Sequence, residues 1–258
     1  MEMGLAQRAV VVTGAGSGIG LATTRAFIAE GAHVVAADLD PAAAQDAGAI
    51  ALTVDLATPE GPPAAVKAAV QRLGGIDVLV NNVGVAPSRQ GFLSVGDDDW
   101  SALIDVNFMS MVRACRAALP HMLEHGRGAI VSISSDAGYL PAPFFVDYSV
   151  TKAAIRVLSR AIANEFADRG IRSNTISPGP TRTAPWERRG LIDDLAERWG
   201  IDREAAIERF IKEERRMPLG RLGEPEDVAA MVVYLSSDLA KQITGSDYRV
   251  DGGTIATI

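Results

Sequence analysis

A tyrosine and a lysine stand four positions apart in the stretch PFFVDYSVTK, residues 143–152. If this stretch is helical, Tyr148 and Lys152 share one face of the helix about one turn apart. A phenol beside an ammonium group can be an ordinary surface contact. It can also be an acid with a partner that lowers its pKa. The pair is therefore a candidate acid/base, and the question is what it acts on.

Four glycines follow the first apolar run of the chain, in TGAGSGIG at residues 13–20. Their spacing is G-x-x-x-G-x-G, in which the missing side chains allow a tight turn and the close approach of a pyrophosphate. A helix that begins there offers free N–H groups and a partial positive charge to phosphates. The turn has no lysine, so it is not a Walker phosphate loop. Its place between a strand and a helix predicts a dinucleotide site.

An acidic residue lies just past the second apolar run, 18 residues beyond Gly20. Asp38 is near the distance at which a carboxylate accepts hydrogen bonds from the adenosine ribose hydroxyls of a dinucleotide. A carboxylate there repels a 2′-phosphate, and no basic residue occurs in the glycine turn or directly after Asp38. We therefore expect NAD(H) rather than NADP(H). Asp40, directly before Pro41, is the better candidate for capping the next helix.

Short apolar runs alternate with longer alanine-rich segments along the 258 residues. Buried parallel strands read as continuous apolar runs, and the segments between them repeat apolar residues at helical spacing. This alternation predicts a single α/β domain over residues 1–258, a doubly wound parallel sheet with helices on both faces. The predicted strands are 9–13, 33–37, 50–54, 76–80, 129–134, 171–176 and 247–250.

Composition and charge weigh against several classes of protein. The formal net charge of −7 argues against binding to nucleic acid. One cysteine and three histidines exclude an intrachain disulfide and make a metal site improbable. No signal peptide and no run of 18 apolar residues is visible, so no membrane contact is expected. We expect a cytoplasmic protein.

One charged segment, residues 184–226, interrupts the strand–helix rhythm. It is long for a connection inside a compact domain and reads as partly helical. Long connections of this kind are usually functional or disordered. Because the segment follows a strand end, where α/β folds place their ligands, we expect a lid over the substrate site. A solvated helical decoration is the alternative.

Taken in order, the motifs of the chain resemble those of the short-chain dehydrogenase/reductase family. The matching pieces cover nearly the whole chain, and although each is short, their combination and order are specific. The resemblance implies a Rossmann-type domain, usually a dimer or tetramer, with NAD(P)-dependent alcohol/carbonyl redox chemistry. One departure is Val83, where the family usually has alanine. The pieces are TGAGSGIG (13–20), Asp38, Asp55-Leu56, NNVG (81–84), Asn107, SISS (132–135), YSVTK (148–152), PGPTRT (178–183) and VDGG (250–253).

The resemblance also implies the catalytic roles. Tyr148 would be the acid/base, and Lys152 would lower its pKa and bind the nicotinamide ribose. Ser135, 13 residues before the tyrosine, would hold the substrate oxygen; Ser134 is the alternative because the register of the strand end is uncertain by one residue. The backbone of Asn107 would hold a water that links Lys152 to solvent. Hydride would pass between the nicotinamide ring and the carbinol carbon.

The cofactor contacts follow from the same resemblance. Asp55 and Leu56 are expected to flank the adenine, and Asn82 and Gly84 to border the adenosine ribose. The residues of PGPTRT are expected beside the nicotinamide and the pyrophosphate. The complete predicted set is Gly14, Ser17, Gly18, Ile19, Gly20, Asp38, Leu39, Asp55, Leu56, Asn82, Gly84, Tyr148, Lys152, Pro178, Gly179, Thr181 and Thr183.

The substrate pocket is expected between the residues after Ser135, the residues before Tyr148 and the lid. Most of these are apolar or aromatic, which suits a hydrophobic or cyclic secondary alcohol or its ketone. Tyr139, Pro143 and Phe144 are further candidate wall residues. Three arginines in or beside the lid (Arg182, Arg188 and Arg189) leave an anionic substrate open. The predicted substrate contacts are Ser135, Asp136, Ala137, Phe145, Tyr148 and Trp186.

Two other functions stay open. A 3-oxoacyl thioester reductase occurs often in the family, but Asp38 weighs against it because biosynthetic reductases commonly use NADPH. A catalytically silent NAD-binding sensor or scaffold is less consistent with an intact set of Asn107, Ser135, Tyr148 and Lys152.

A homotetramer or homodimer is expected, because family members pair the helices at 106–124 and 149–166 across a subunit interface. An intrachain core explains the apolar stripes of these helices equally well. The stripe residues are Met109, Met111, Val112, Cys115, Leu119, Ile155, Leu158 and Ile162.

Overall fold

Seven parallel strands form one sheet at the centre of the molecule. The computed structural model describes residues 2–183 and 191–256. The strand order is β3-β2-β1-β4-β5-β6-β7, which confirms the predicted doubly wound parallel sheet. Each predicted apolar run overlaps one strand. The strands are β1 Ala9–Thr13, β2 His33–Asp38, β3 Ile50–Thr53, β4 Val78–Asn81, β5 Gly128–Ile133, β6 Ile171–Pro178 and β7 Asp247–Val250.

Helices cover both faces of the sheet. Short 3₁₀ turns occur at Phe92–Ser94, Asp136–Gly138, Pro143–Phe145, Ala167–Arg169 and Asp238–Ala240, and π-helical turns at Asp105–Met109 and Phe210–Glu214. The α-helices are α1 Gly18–Ala29, α2 Ala42–Asp46, α3 Gly61–Leu73, α4 Asp97–Ile104, α5 Ser110–Glu124, α6 Val146–Phe166, α7 Leu191–Trp199, α8 Arg203–Arg209 and α9 Pro225–Ser236.

Two apolar cores lie on opposite faces of the sheet. Val10 and Val12 of β1 pack in the core that contains Phe27 of α1, whereas Val11 packs in the core that contains Met111 of α5. Successive side chains of a strand point to opposite faces, so β1 can be apolar throughout only because both faces are covered. This explains why the strands read as continuous apolar runs.

The direction in which successive strands are added to the sheet reverses between β1 and β4. The chain runs outward from β1 through β2 to β3 and then returns to place β4 on the other side of β1. In open α/β sheets, ligands bind at the carboxyl ends of the strands at such a switch point. The glycine turn after β1, the asparagines at the end of β4 and the serines at the end of β5 all come to this edge.

The described part of the lid segment is largely helical. It contains α7, α8 and the π-turn Phe210–Glu214, and it buries an apolar cluster of its own around Ile192 and Phe210. A bridge between Thr181 and Gly223 ties its two ends together. Residues 184–190 lie outside the described residues.

The apolar stripes expected at a subunit interface belong largely to the intrachain core. Met111, Cys115, Ile155 and Ile162 are buried in the core beneath α5 and α6. On α6 the exposed apolar side chains are instead Val150 and Val157, which are 51% and 72% exposed. Among the described residues, no helix is long and apolar enough to cross a membrane.

Candidate active site

Tyr148 and Lys152 lie in the first turns of α6, at the carboxyl edge of the sheet. The Lys152 Nζ atom is 5.5 Å from the centre of the Tyr148 ring. Lys152 is buried, and its ammonium donates a 2.9 Å hydrogen bond to the carbonyl of Ile133, the last residue of β5. The four-residue spacing therefore brings the phenol and the ammonium together, and β5 holds the lysine in place.

The three serines at the end of β5 have different partners. The Ser132 hydroxyl accepts a hydrogen bond from Asn81, and the Ser134 hydroxyl donates to the carbonyl of Lys152. Ser135 caps the following 3₁₀ turn, where its oxygen accepts from the backbone N–H of Ala137. Of the three, Ser135 is the one near enough to the Tyr148 hydroxyl to affect its pKa.

The protein raises the pKa of the Tyr148 phenol to about 12, opposite to the direction expected from the sequence. Burial is the main cause because it disfavours the charged phenolate; the Ser135 hydroxyl lowers the pKa, and the negative charge of Asp136 raises it. Burial also lowers the pKa of the Lys152 ammonium, to about 8. Lys152 is thus only partly charged at mildly alkaline pH.

Asn107 lies in the π-turn between α4 and α5, a distortion frequent at functional sites. Its buried amide accepts from the backbone N–H of Val85 and donates to the Val85 carbonyl and to the Thr151 hydroxyl. Gly84 lies between this amide and Lys152. A Cβ atom at position 84 would be 3.2 Å from Lys152 Nζ and 3.4 Å from Asn107 Oδ1. Gly84 thus leaves space between these two side chains.

The glycine turn after β1 requires glycine for conformation and for space. Gly14 has a φ of +66°, and a Cβ there would lie 2.8 Å from the Cα of Val83. At Gly20 a Cβ would lie 2.0 Å from the Gly14 carbonyl oxygen. The Asn82 side chain donates 2.9 Å hydrogen bonds to the carbonyls of Thr13 and Gly14. β4 thus fixes the turn that precedes α1.

Asp38 ends β2 beside this turn. Its carboxylate accepts hydrogen bonds from the backbone N–H groups of Gly16 at 2.9 Å and of Asp40 at 3.1 Å. The two contacts hold the negative charge against the glycine turn. Leu39, the next residue, is an apolar residue that is 69% exposed.

The loop after β6 also approaches the glycine turn. A Cβ at Gly18 would lie 3.1 Å from the Thr183 methyl group. The Thr181 hydroxyl donates to the carbonyl of Gly179, which keeps this loop tight after Pro178. The predicted cofactor residues from β1, β4 and β6 therefore converge at one edge of the sheet.

Four other predicted cofactor residues have different exposures. Ser17 is exposed at the start of α1, and Ile19 is partly buried against the core. Asp55 is exposed, and its carboxylate accepts from the backbone N–H of Ala57. The Leu56 side chain is buried in the core.

The structure places some of the predicted substrate residues near Tyr148 and others away from it. Phe145 packs near Tyr148, with their ring centres 5.7 Å apart, and Ala137 is buried behind Ser135. Tyr139, expected in the pocket wall, instead donates to Asp247 at 2.7 Å and lies against Arg156. Trp186, Arg188 and Arg189 lie outside the described residues, and Arg182 pairs with Glu224.

Two arginines near the site were not singled out from the sequence. Arg215 forms an ion pair with Asp136, the residue after Ser135. Arg89 joins the fully buried Asp147 to Asp99, each at 2.8 Å, directly before Tyr148. Both arginines are distant in sequence from Ser135 and Tyr148, and no local sequence pattern distinguishes them from the exposed arginines of the chain.

Comparisons with known proteins identify the family of the chain. A family model described as enoyl-(acyl carrier protein) reductase matches residues 14–254, almost the whole chain. The chain belongs to the short-chain dehydrogenase/reductase family. The chain is therefore an oxidoreductase that acts on secondary alcohols or the corresponding ketones.

Relatives of the chain are named for chemically different substrates. The chain is 38% identical to 3beta-hydroxysteroid dehydrogenase 1 of Eggerthella lenta, over 95% of this chain and 93% of that protein. It is 34% identical to 2,5-dichloro-2,5-cyclohexadiene-1,4-diol dehydrogenase of Sphingobium indicum, over 96% of each. The crystal structure of L-sorbose reductase from Gluconobacter frateurii, complexed with NADPH and L-sorbose, superimposes with a TM-score of 0.91 at 34% identity over 100% of both chains.

Proposed function

We propose that this protein is an NAD(H)-dependent dehydrogenase of a secondary alcohol, with Tyr148 as the acid/base. The observation that carries the proposal is the convergence of Ser135, Tyr148, Lys152 and Asn107 beside the glycine turn. An acid/base, an oxygen-binding hydroxyl and a cation next to a dinucleotide-type turn are the groups that this redox reaction needs.

The residues of the turn fit a dinucleotide. Glycines, which have no side chains, precede the N-terminus of the 12-residue helix α1. The N–H groups and the helix dipole at that end favour a pyrophosphate. The bound nicotinamide supplies a hydride acceptor or donor. Ser135 holds the substrate oxygen, and Tyr148 accepts or donates its proton. Lys152 stabilises the phenolate and, with Gly84 leaving space beside it, holds the nicotinamide ribose.

The preference for NAD(H) over NADP(H) rests on Asp38. Its carboxylate is bound by two backbone N–H groups at the turn and is followed by the exposed Leu39, so a 2′-phosphate would meet a fixed negative charge. Because the L-sorbose reductase complex contains NADPH, both cofactors have to be compared directly.

The pocket accepts a cyclic or hydrophobic carbon skeleton under this proposal. Phe145 lies beside Tyr148, and the described part of the lid reaches the site through Arg215, which pairs with Asp136. The relatives named for steroid and cyclohexadiene-diol substrates support a cyclic alcohol. A homodimer or homotetramer and a cytoplasmic location stay predictions; sedimentation of a monomer would contradict the first.

The proposal is tested with Tyr148→Phe, which removes one hydroxyl. We expect kcat for secondary alcohols with NAD⁺ to fall by roughly 10²–10⁴-fold, the usual contribution of a general acid/base. The Kd for NADH should stay within a factor of about two. Tyr248→Phe, on β7, is the matched control and should keep the wild-type kcat. Near-normal turnover of Tyr148→Phe would refute the assignment.

A further inference from the structure

A buried ion pair stands directly beside the proposed oxygen-binding serine. The Ser135 hydroxyl donates a 3.0 Å hydrogen bond to one carboxylate oxygen of Asp136, and Arg215 binds the other oxygen. Asp136 is 5% exposed. Arg215 comes from the lid, 79 residues along the chain, just after the π-turn Phe210–Glu214. The lid thus places a guanidinium next to the residue that follows Ser135.

The Arg215 guanidinium has an unused donor. Its Nε atom is buried, and none of the described residues accepts a hydrogen bond from it. A buried donor without an acceptor costs stability, and most such groups in folded proteins have a partner. An acceptor atom from a bound molecule at this position would satisfy Nε.

The charges of the pair select the kind of ligand. Arg215 and Asp136 neutralise each other, and the Asp136 carboxylate repels an anion that would otherwise suit an arginine. A purely apolar substituent leaves the Arg215 donor unsatisfied. A neutral hydroxyl can donate to the Asp136 carboxylate and accept from Arg215, and a carbonyl can accept from Arg215.

The position of the Asp136–Arg215 pair beside Ser135 determines which carbon of the substrate would carry the second oxygen. Ser135 has one hydroxyl proton, which it gives to Asp136 in this structure. A substrate hydroxyl that donates to Asp136 releases the Ser135 proton for the reacting oxygen. Since Asp136 Oδ1 is 3.0 Å from Ser135 Oγ, an oxygen on the carbon next to the reacting carbon is at the right distance to make this exchange.

We propose that Asp136 and Arg215 form a specificity subsite for a second oxygen, so that the preferred substrates are vicinal diols and α-hydroxy ketones. This inference rests on the proposed function, because it takes the reacting oxygen to be held by Ser135. It assigns to Arg215 a contact with the substrate and to the lid a part in choosing it.

The test compares substrates that differ only by the second oxygen. With NAD⁺, kcat/KM is measured for cyclohexanol against 1,2-cyclohexanediol and for 2-butanol against 2,3-butanediol, using each stereoisomer. We expect the diol of each pair to be favoured roughly tenfold or more, the effect of a satisfied buried hydrogen bond. No preference for either diol in the wild type would overturn the inference.

Arg215→Lys is the discriminating variant, because it keeps the positive charge beside Asp136 and removes Nε. We expect KM for the diols to rise roughly tenfold, so that the preference for a diol over its simple alcohol is lost. Arg216→Lys, at the exposed neighbouring position, is the matched control and should retain the diol preference. An Arg215→Lys enzyme that still prefers diols as strongly as the wild type would contradict the inference.

A binding measurement separates this inference from the proposed function. Calorimetry of Tyr148→Phe with NADH gives the Kd of 3-hydroxy-2-butanone and of 2-butanone without turnover. We expect tighter binding of the hydroxy ketone, lost in the Tyr148→Phe/Arg215→Lys double variant, even if the enzyme oxidises none of the alcohols tested. Equal binding of the two ketones would overturn the subsite, whatever the catalytic result.

Discussion

The two halves of the active-site edge are built in different ways. The nucleotide half, after β1 and β4, is made of backbone groups and glycines that are close in sequence, such as Gly14 and Gly20, with Asn82 locking the turn. The proposed substrate half is made of side chains from distant segments, such as Asp136 and Arg215, 79 residues apart. Local motifs therefore reveal the first half and the residues around Ser135 and Tyr148, whereas only the folded chain reveals the pairing of Asp136 with Arg215.

Lys152 lies at the boundary of the two halves, and its replacement should have the largest effect on turnover. Lys152→Met removes the cation beside Tyr148, so we expect kcat to fall by roughly 10²–10⁴-fold. The Kd for NADH should rise as well, because the ribose contact is lost. Steady-state kinetics and NADH titration measure both. An unchanged kcat would show that the phenol needs no cation.

The same variant should stabilise the fold at neutral pH. Burial lowers the Lys152 pKa from 10.5 to about 8, so charging the folded lysine costs on the order of 3 kcal/mol below pH 8. Between pH 8 and 10.5 the folded protein loses this proton while the unfolded chain keeps it, so wild-type stability rises with pH. The advantage of Lys152→Met in denaturant unfolding should therefore shrink over this range. A difference in unfolding free energy between Lys152→Met and the wild type that stays constant from pH 7 to 10.5 would contradict the lowered pKa of Lys152.

Gly20→Ala tests whether the nucleotide half depends on backbone alone. The added methyl group would lie 2.0 Å from the Gly14 carbonyl, so the turn has to open. We expect the Kd for NADH to rise roughly tenfold to a hundredfold, as lost phosphate contacts require. At Gly75, where a Cβ would approach nothing nearer than 3.8 Å, Gly75→Ala is the control and should bind NADH normally. Equal affinities for both variants would show that the turn tolerates side chains.

Asp38→Asn changes one charge in the nucleotide half. Removing the carboxylate should bring the Kd for NADPH down by roughly tenfold, while the Kd for NADH changes less. Asp40→Asn is the matched control because Asp40 is exposed two residues further on. Fluorescence titration with NADH and with NADPH measures these Kd values. Tighter binding of NADPH than of NADH by the wild type would overturn the cofactor prediction itself.

The strands, the glycine turn and the acid after β2 were predictable because each depends on neighbouring residues. A buried parallel strand such as β1 is apolar throughout, and a turn such as 13–20 carries its own spacing. The stripe containing Met111 and Cys115 was ambiguous because a core and an interface bury the same residue types. The pairing of Asp136 with Arg215 was not predictable, because the local sequence does not distinguish Arg215 from the neighbouring Arg216.

Tyr139 marks the outer limit of the substrate half, and its replacement should have the smallest effect on catalysis. Although it was expected in the pocket wall, its hydroxyl donates to Asp247, which also accepts from Thr175 and Ser177. Tyr139→Phe should therefore lower the free energy of unfolding by about 1–2 kcal/mol and leave kcat/KM within a factor of about two. Phe145→Ala, beside Tyr148, should do the reverse and raise KM roughly tenfold through lost apolar contact. If Tyr139→Phe changed KM as much as Phe145→Ala, the pocket would extend to β7, and the outer limit of the substrate half would have to be redrawn.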